Sequence, residues 1–175
     1  MNSQNHPSES KPLLFERAVK TDLPQLEAIR LNAFKPVFSS FKRILGDFIY
    51  KKAQEPEDLA QQDMLISLFE DSSKWEIWKA IYNGEIVGFI SYGLNMPFRN
   101  VGEIGLNAIS PAFSKRGFGT AMYQFAIDEM KKAGMEVATV ATGNDPSHLP
   151  ARKGYRKVGF DVEFESVWMC QKLDK

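Results

Sequence analysis

Residues Ser114-Lys115-Arg116-Gly117-Phe118-Gly119-Thr120 carry the densest chemistry in this chain. They follow the apolar, strand-like run Glu103 to Ile109 and open an amphipathic stretch reaching about Ala133. Two glycines two apart at a strand-to-helix junction let backbone N–H groups converge, because no Cβ blocks the approach. The helix start behind them adds partial positive charge and unpaired donors. Lys115 and Arg116 supply two full charges. The chemistry implied is the grip on a phosphate or pyrophosphate.

Two common phosphate grips do not fit. A P-loop needs Lys directly after its second Gly, whereas this chain reads Gly119-Thr120-Ala121. A dinucleotide fingerprint needs a third small residue where Met122 stands, and an acid ending the next strand, where Thr142-Gly143 stands.

The segments Glu103-Ile-Gly-Leu-Asn-Ala-Ile109-Ser-Pro111, Arg116-Gly-Phe-Gly119 and Ala151-x-x-x-Tyr155-x-x-x-Gly159-Phe160 together resemble the GNAT superfamily of acyl-CoA-dependent N-acetyltransferases. The resemblance covers residues 103–173 by motif and 13–92 by pattern. It implies direct attack of a substrate amine on the thioester of acetyl-CoA, the cosubstrate. Cofactor contacts are expected at Ser114, Lys115, Arg116, Gly117, Phe118, Gly119 and Thr120 for the pyrophosphate. Ala108, Ile109 and Ser110 are expected along the pantetheine arm, with an N–H near Ile109 facing the thioester carbonyl. Ala151 and His148 are expected beside the cofactor. Glu103 falls on the general base of histone-type members, and Tyr155 on the tyrosine that protonates the leaving thiolate. Two positions depart from the family pattern: Ser114 replaces Arg or Gln, and His148 replaces Asn. The stretch Gly143-x-Asp145-Pro-x-His148-x-Pro150-Ala151-Arg152 resembles a signature of one subgroup. A noncatalytic acyl-CoA-binding module is the alternative function, and a cradle for another phosphorylated ligand a third.

The elements expected to position these residues form a mixed, mostly antiparallel α/β sheet, splayed between its fourth and fifth strands, with helices on both faces: the GNAT fold. Leu13 to Val19 reads as a strand, and Thr21-Asp22-Leu23-Pro24 as a helix start. Phe38, Phe41, Ile44, Leu45, Phe48 and Ile49 recur at helical spacing, which predicts a second helix broken by Pro56, with another over 59–69. The aromatic stripe reads as core. Asn83-Gly84 between two β-rich runs predicts a hairpin. Alternation along Glu103–Ala108 predicts that Glu103, Gly105 and Asn107 share one face. A helix near 147–158 and strands over 161–165 and 167–173 complete the order, with Cys170 a buried thiol. Residues 1–12 read as a disordered polar tail before a single domain over 13–175.

Composition narrows the function. The chain of 175 residues has 22 Lys and Arg against 22 Asp and Glu, so bulk charge gives no reason to invoke nucleic acid or an anionic membrane. No run approaches the length of a membrane span, and the opening residues lack a signal-peptide core; a cytoplasmic location is the expectation. One cysteine and two histidines leave no expected metal site. Acceptor specificity is expected from residues 35–74, the 92–102 loop and the final strands. The charges of 35–74 do not distinguish a small-molecule amine from a peptide amine. A homodimer is common in the family and is a further expectation.

Overall fold

The computed structural model describes residues 12–70 and 73–173. Five strands line up in chain order: β1 (Leu14–Arg17), β2 (Trp75–Tyr82), β3 (Glu85–Leu94), β4 (Val101–Ile109) and β5 (Val137–Val140). The first four are antiparallel neighbours, and β5 runs parallel to β4. Asn83 and Gly84 both take positive φ between β2 and β3, the tight hairpin that Asn-Gly predicts. Four helices surround the sheet: α1 (Leu23–Ile49), α2 (Glu55–Ser67), α3 (Phe118–Lys132) and α4 (Leu149–Lys157). The expected tail lies outside the described residues except for Pro12.

Two apolar clusters sandwich the sheet. Met122, Tyr123, Ala126 and Met130 of α3 and Tyr155 of α4 pack on Val87, Ile90, Tyr92 and Ile104. Leu26 and Ile29 of α1, with Leu65 of α2, pack on Ile77, Phe89 and Ala108 on the opposite face.

Several expectations are corrected. The expected pair of helices before Pro56 is one element, α1, which passes through Pro36 and kinks at Gly46, where φ is 72°. A π-helical segment, Tyr50–Gln54, links it to α2, and Pro56 sits in the first turn of α2 as a helix starter. The stripe on α1 is only partly core, since Ile44 and Phe48 are exposed. Residues 161–165 and 167–173 form no strands, because they find no ladder partner among the described residues. Cys170, on that segment, is therefore exposed rather than buried.

The shared face predicted on β4 also fails. Ile90 pairs with Asn107, but Tyr92 pairs with Ile104, so Gly105 and Leu106 together oppose Ser91. This bulge inserts one residue and reverses the alternation beyond it. Asn107 consequently joins Ile104 on the α3 side, while Leu106 and Ala108 pack on the α1 side.

Candidate active site

The residues expected to cradle a pyrophosphate lie at the N-terminus of α3. Lys115 and Gly117 both adopt the left-handed conformation, with φ of 61° and 83°. Gly117 caps α3, and its carbonyl accepts the first helical bond from Ala121 N–H at 3.0 Å. The N–H groups of Phe118, Gly119 and Thr120 therefore have no acceptor within the helix. An added Cβ at Gly117 or Gly119 would meet no atom within 4 Å. The space beside both glycines is therefore open. Arg116 lies across Phe113 and Tyr82, its guanidinium carbon 5.3 and 6.0 Å from their ring centres. Ser114, the residue that departs from the family pattern, turns inward, and its hydroxyl donates to the Pro111 carbonyl at 2.9 Å.

The cradle faces a gap in the sheet. β4 and β5 pair only over Val101–Ile104, so among the described residues β4 from Gly105 to Ile109 has no strand neighbour on that side. Ser110 N–H, at the end of β4, donates to Val87 of β3 at 2.8 Å. Antiparallel alternation then aims the N–H groups of Ile109 and Asn107 away from β3, into the gap. Of the residues expected along the cofactor arm, Ile109 thus presents its backbone donor, whereas Ala108 packs inward and Ser110 N–H is already paired.

Tyr155 is buried beside this gap. Asn107 Nδ2 donates to its hydroxyl at 3.2 Å, and the Tyr123 hydroxyl donates to Asn107 Oδ1 at 3.2 Å. The two tyrosine rings lie 4.2 Å apart. Burial pushes the Tyr155 phenol above its ordinary range, against the opposing pull of Asn107 and Tyr123. Burial, followed by the neighbouring Tyr155, pushes Tyr123 up as well. Gly154 allows this packing: an ideal Cβ there would sit 2.8 Å from the Tyr123 ring and 3.8 Å from Thr120 Oγ1, so α4 abuts the first turn of α3. Ala151 also packs on this cluster.

Glu103 stands apart from Tyr155. It pairs with Gly93 on one side and Thr139 on the other, within the closed part of the sheet. The neighbouring Gly102 faces Met130 of α3, so Glu103 faces the α1 side. It lies four residues from Asn107, about 13 Å along the strand. The structure therefore joins Tyr155 to the gap and leaves Glu103 on the opposite face.

A group not combined in the sequence reading lies at the mouth of the gap, in the loop from β5 to α4. Asp145 accepts hydrogen bonds from Ser147 N–H at 2.9 Å, from the hydroxyls of Ser147 and Ser40 (the latter at 2.9 Å from α1), and from His148 Nδ1. Burial works to raise the Asp145 pKa, but the bonds from Ser147, His148 and Ser40 outweigh it and hold the carboxyl well below the usual range. Phe41 of α1 stacks on the His148 ring at 5.8 Å between centres. Arg152 ties the loop down through the carbonyls of Gly143 and Asp145. His148 thus stands between the α1 face and α4, outside the carboxyl ends of two parallel strands, where open α/β sheets bind ligands. Asn107, between Leu106 and Ala108 on a strand, could have been found from sequence by one rule: a polar residue bracketed by packed neighbours needs a specific partner.

The profile of the acetyltransferase (GNAT) family matches residues 38–160, more than half of the chain. The chain belongs to the GNAT acetyltransferase family. Members of that family bind CoA or acetyl-CoA. No curated protein matches significantly. Among solved structures, the chain is similar to a Bacillus subtilis acetyltransferase in complex with CoA, with 22% identity over 87% of this chain and 79% of that one and a TM-score of 0.61. It is similar to a GNAT acetyltransferase from Brucella melitensis in complex with acetyl-CoA, with 15% identity, 86% and 84% coverage and a TM-score of 0.60. An aminoglycoside acetyltransferase from an uncultured soil metagenomic sample, in complex with sisomicin, gives 18% identity, 93% and 97% coverage and a TM-score of 0.53. At these identities the likeness is one of fold. Among the described residues, no helix is long and apolar enough to cross a membrane, and no three metal-ligating side chains converge.

Proposed function

We propose that this GNAT acetyltransferase moves an acetyl group from acetyl-CoA to a primary amine by direct attack in a ternary complex. The observation that carries this reading is the open, donor-lined cradle at Gly117–Thr120, set beside a strand whose N–H groups point into a sheet gap. Acetyl-CoA supplies the activated acyl group. The N–H groups of Phe118, Gly119 and Thr120 hold the pyrophosphate, with charge from Lys115 and Arg116. Asn107 and Ile109 offer N–H donors to the arm and thioester carbonyl, where donors placed for developing negative charge lower the barrier.

Glu103 is the proposed base. Alkyl ammonium groups titrate near ~10, so an approaching amine is mostly protonated at neutral pH. A carboxylate on the α1 face would receive that proton directly or through water. Tyr155 is the proposed acid, and its burial keeps the phenol protonated until sulfur acquires charge. One observation favours a second carrier of this proton: the Asp145–His148 pair holds an imidazole at the mouth of the gap with Nδ1 engaged, leaving Nε2 for exchange.

The amine enters along α1, α2 and the 92–102 loop. Polyamino sugars belong in the acceptor panel because an aminoglycoside acetyltransferase shares the fold. The cytoplasm, where acetyl-CoA is available, is the proposed location, and a homodimer the proposed assembly. Free-thiol release from acetyl-CoA over a panel of small-molecule and peptide amines tests the function. Amine-dependent release is expected. Cofactor binding without release for any amine would favour the noncatalytic acyl-CoA module instead.

A further inference from the structure

The polar chain Tyr123–Asn107–Tyr155 stands inside an apolar cluster. Tyr123 and Tyr155 are 6% and 5% exposed, and Ile104, Met122, Ala126 and Phe160 belong to the same cluster. Leucine at 107 and phenylalanine at 123 would fill that space without burying an amide and a second hydroxyl. Taking such groups out of water is costly unless their partners are in place. Here the partners are in place, and the bonds have a direction. Asn107 reaches this face only because the β4 bulge reverses the alternation before it.

One contact fixes which way the amide points. Asn107 Nδ2 donates to the Gly105 carbonyl at 2.9 Å, and a carbonyl only accepts. The second hydrogen on that nitrogen goes to the Tyr155 hydroxyl oxygen at 3.2 Å. Oδ1 is left as an acceptor, and the Tyr123 hydroxyl donates to it at 3.2 Å. Tyr123 thus commits its hydrogen inside the cluster, whereas Tyr155 receives there and keeps its own hydrogen for the gap. The two rings, 4.2 Å apart, are also unequal in acidity. Burial raises both phenols, but Asn107 and Tyr123 pull Tyr155 back down, while Tyr155 pushes Tyr123 further up. Paired groups driven apart in this way take different roles. Tyr155 is the one that gives up a proton, and Tyr123 the one that keeps it.

We propose that Asn107 and Tyr123 are positioning residues for Tyr155, holding its hydroxyl hydrogen toward the gap and stabilising the phenolate formed when the cofactor sulfur leaves. The inference rests on the acid role proposed for Tyr155. As the C–S bond breaks, its electron pair leaves with sulfur, the Tyr155 O–H bond breaks and an S–H bond forms. The phenolate, held by the Asn107 N–H, regains a proton from the newly acylated nitrogen, directly or through water. Both side chains act through Tyr155 alone.

Tyr123→Phe and Asn107→Leu should lower kcat by roughly 10–100-fold, the scale of a hydrogen bond to a charged group, and leave KM for acetyl-CoA unchanged. Added to Tyr155→Phe, neither should lower kcat further, because the group it acts through is gone. An equal further loss in that background would mark general damage to packing and overturn the proposal. A second measurement needs no turnover. The five tyrosines are replaced by a ring-fluorinated analogue, which acidifies the phenol and brings its titration into the range the fold tolerates. The fluorine resonance lost in Tyr155→Phe identifies residue 155. Its ionisation should move to higher pH in Tyr123→Phe and Asn107→Leu, since the phenolate loses donors. Tyr123→Phe removes one oxygen from a packed ring, so the test survives if Asn107→Leu fails to fold. An unmoved titration in Tyr123→Phe, beside a slow Tyr155→Phe enzyme, overturns the positioning and keeps the acid. A wild-type rate in Tyr155→Phe overturns both.

Discussion

The loop at 114–120 and the segment at 161–173 both leave binding capacity unused, but of opposite kinds. The loop presents backbone donors over open space, behind a helix that is itself well packed through Met122, Tyr123 and Ala126. The segment presents apolar side chains with little behind them. Unpaired donors at a helix start remain hydrated at small cost and attract an anion. Exposed valine, phenylalanine and methionine gain from leaving water altogether. The first region suits a charged small molecule, and the second suits contact with another apolar surface.

Breaking the loop should have the largest effect. Gly119→Val places a side chain in the open space without the strain that left-handed Gly117 would suffer. Turnover should fall to background, while circular dichroism and molecular mass stay those of the wild type. Loss of the fold in this variant would show that Gly119 serves packing.

Tyr155→Phe separates proton delivery from cofactor binding. Turnover should fall by roughly 10²–10⁴ if proton delivery limits the rate, with little change in acetyl-CoA affinity. His148→Asn, which installs the residue expected from the family, sharpens the comparison. A much larger loss in His148→Asn than in Tyr155→Phe would transfer the acid role to the imidazole.

Glu103→Gln keeps shape but cannot accept a proton. Its rate should be low at neutral pH and recover as the pH approaches ~10, where the amine deprotonates unaided. A pH–rate profile identical to that of the wild type would remove Glu103 from the mechanism.

The smallest expected effect is on stability. Because Asp145 is held below the usual carboxyl range in the folded protein, its stabilising contribution is complete above the unfolded value of ~3.9 and is lost as pH falls below it. Asp145→Asn should therefore melt earlier at pH 7, by roughly 2–4 °C per kcal/mol lost. The difference from wild type should shrink below about pH 4. A constant gap across that range would assign Asp145 a packing role without linkage to charge.

What could be read from the sequence follows from the range of each interaction. Gly117 and Gly119 act through local backbone geometry, so their spacing was enough to place the loop-to-helix junction at the start of α3. The Asn83-Gly84 hairpin was legible for the same reason. The bulge at Gly105-Leu106 was not, because it depends on which residues of β3 lie opposite, and that one extra residue moved Asn107 to the other face. Residues 161–173 have a strand-like sequence pattern, but a strand also needs a ladder partner, and among the described residues they pair with none. The Asp145–His148–Ser40 cluster joins α1 to a loop 105 residues later, a pairing that spacing alone does not reveal.

Calorimetric titration of acetyl-CoA into the wild type and Gly119→Val tests the cradle most directly. Saturable one-to-one binding by the wild type and none by the folded variant is the predicted result. Equal affinity in both proteins would contradict the assignment of Gly117–Thr120 as the site that holds the cofactor.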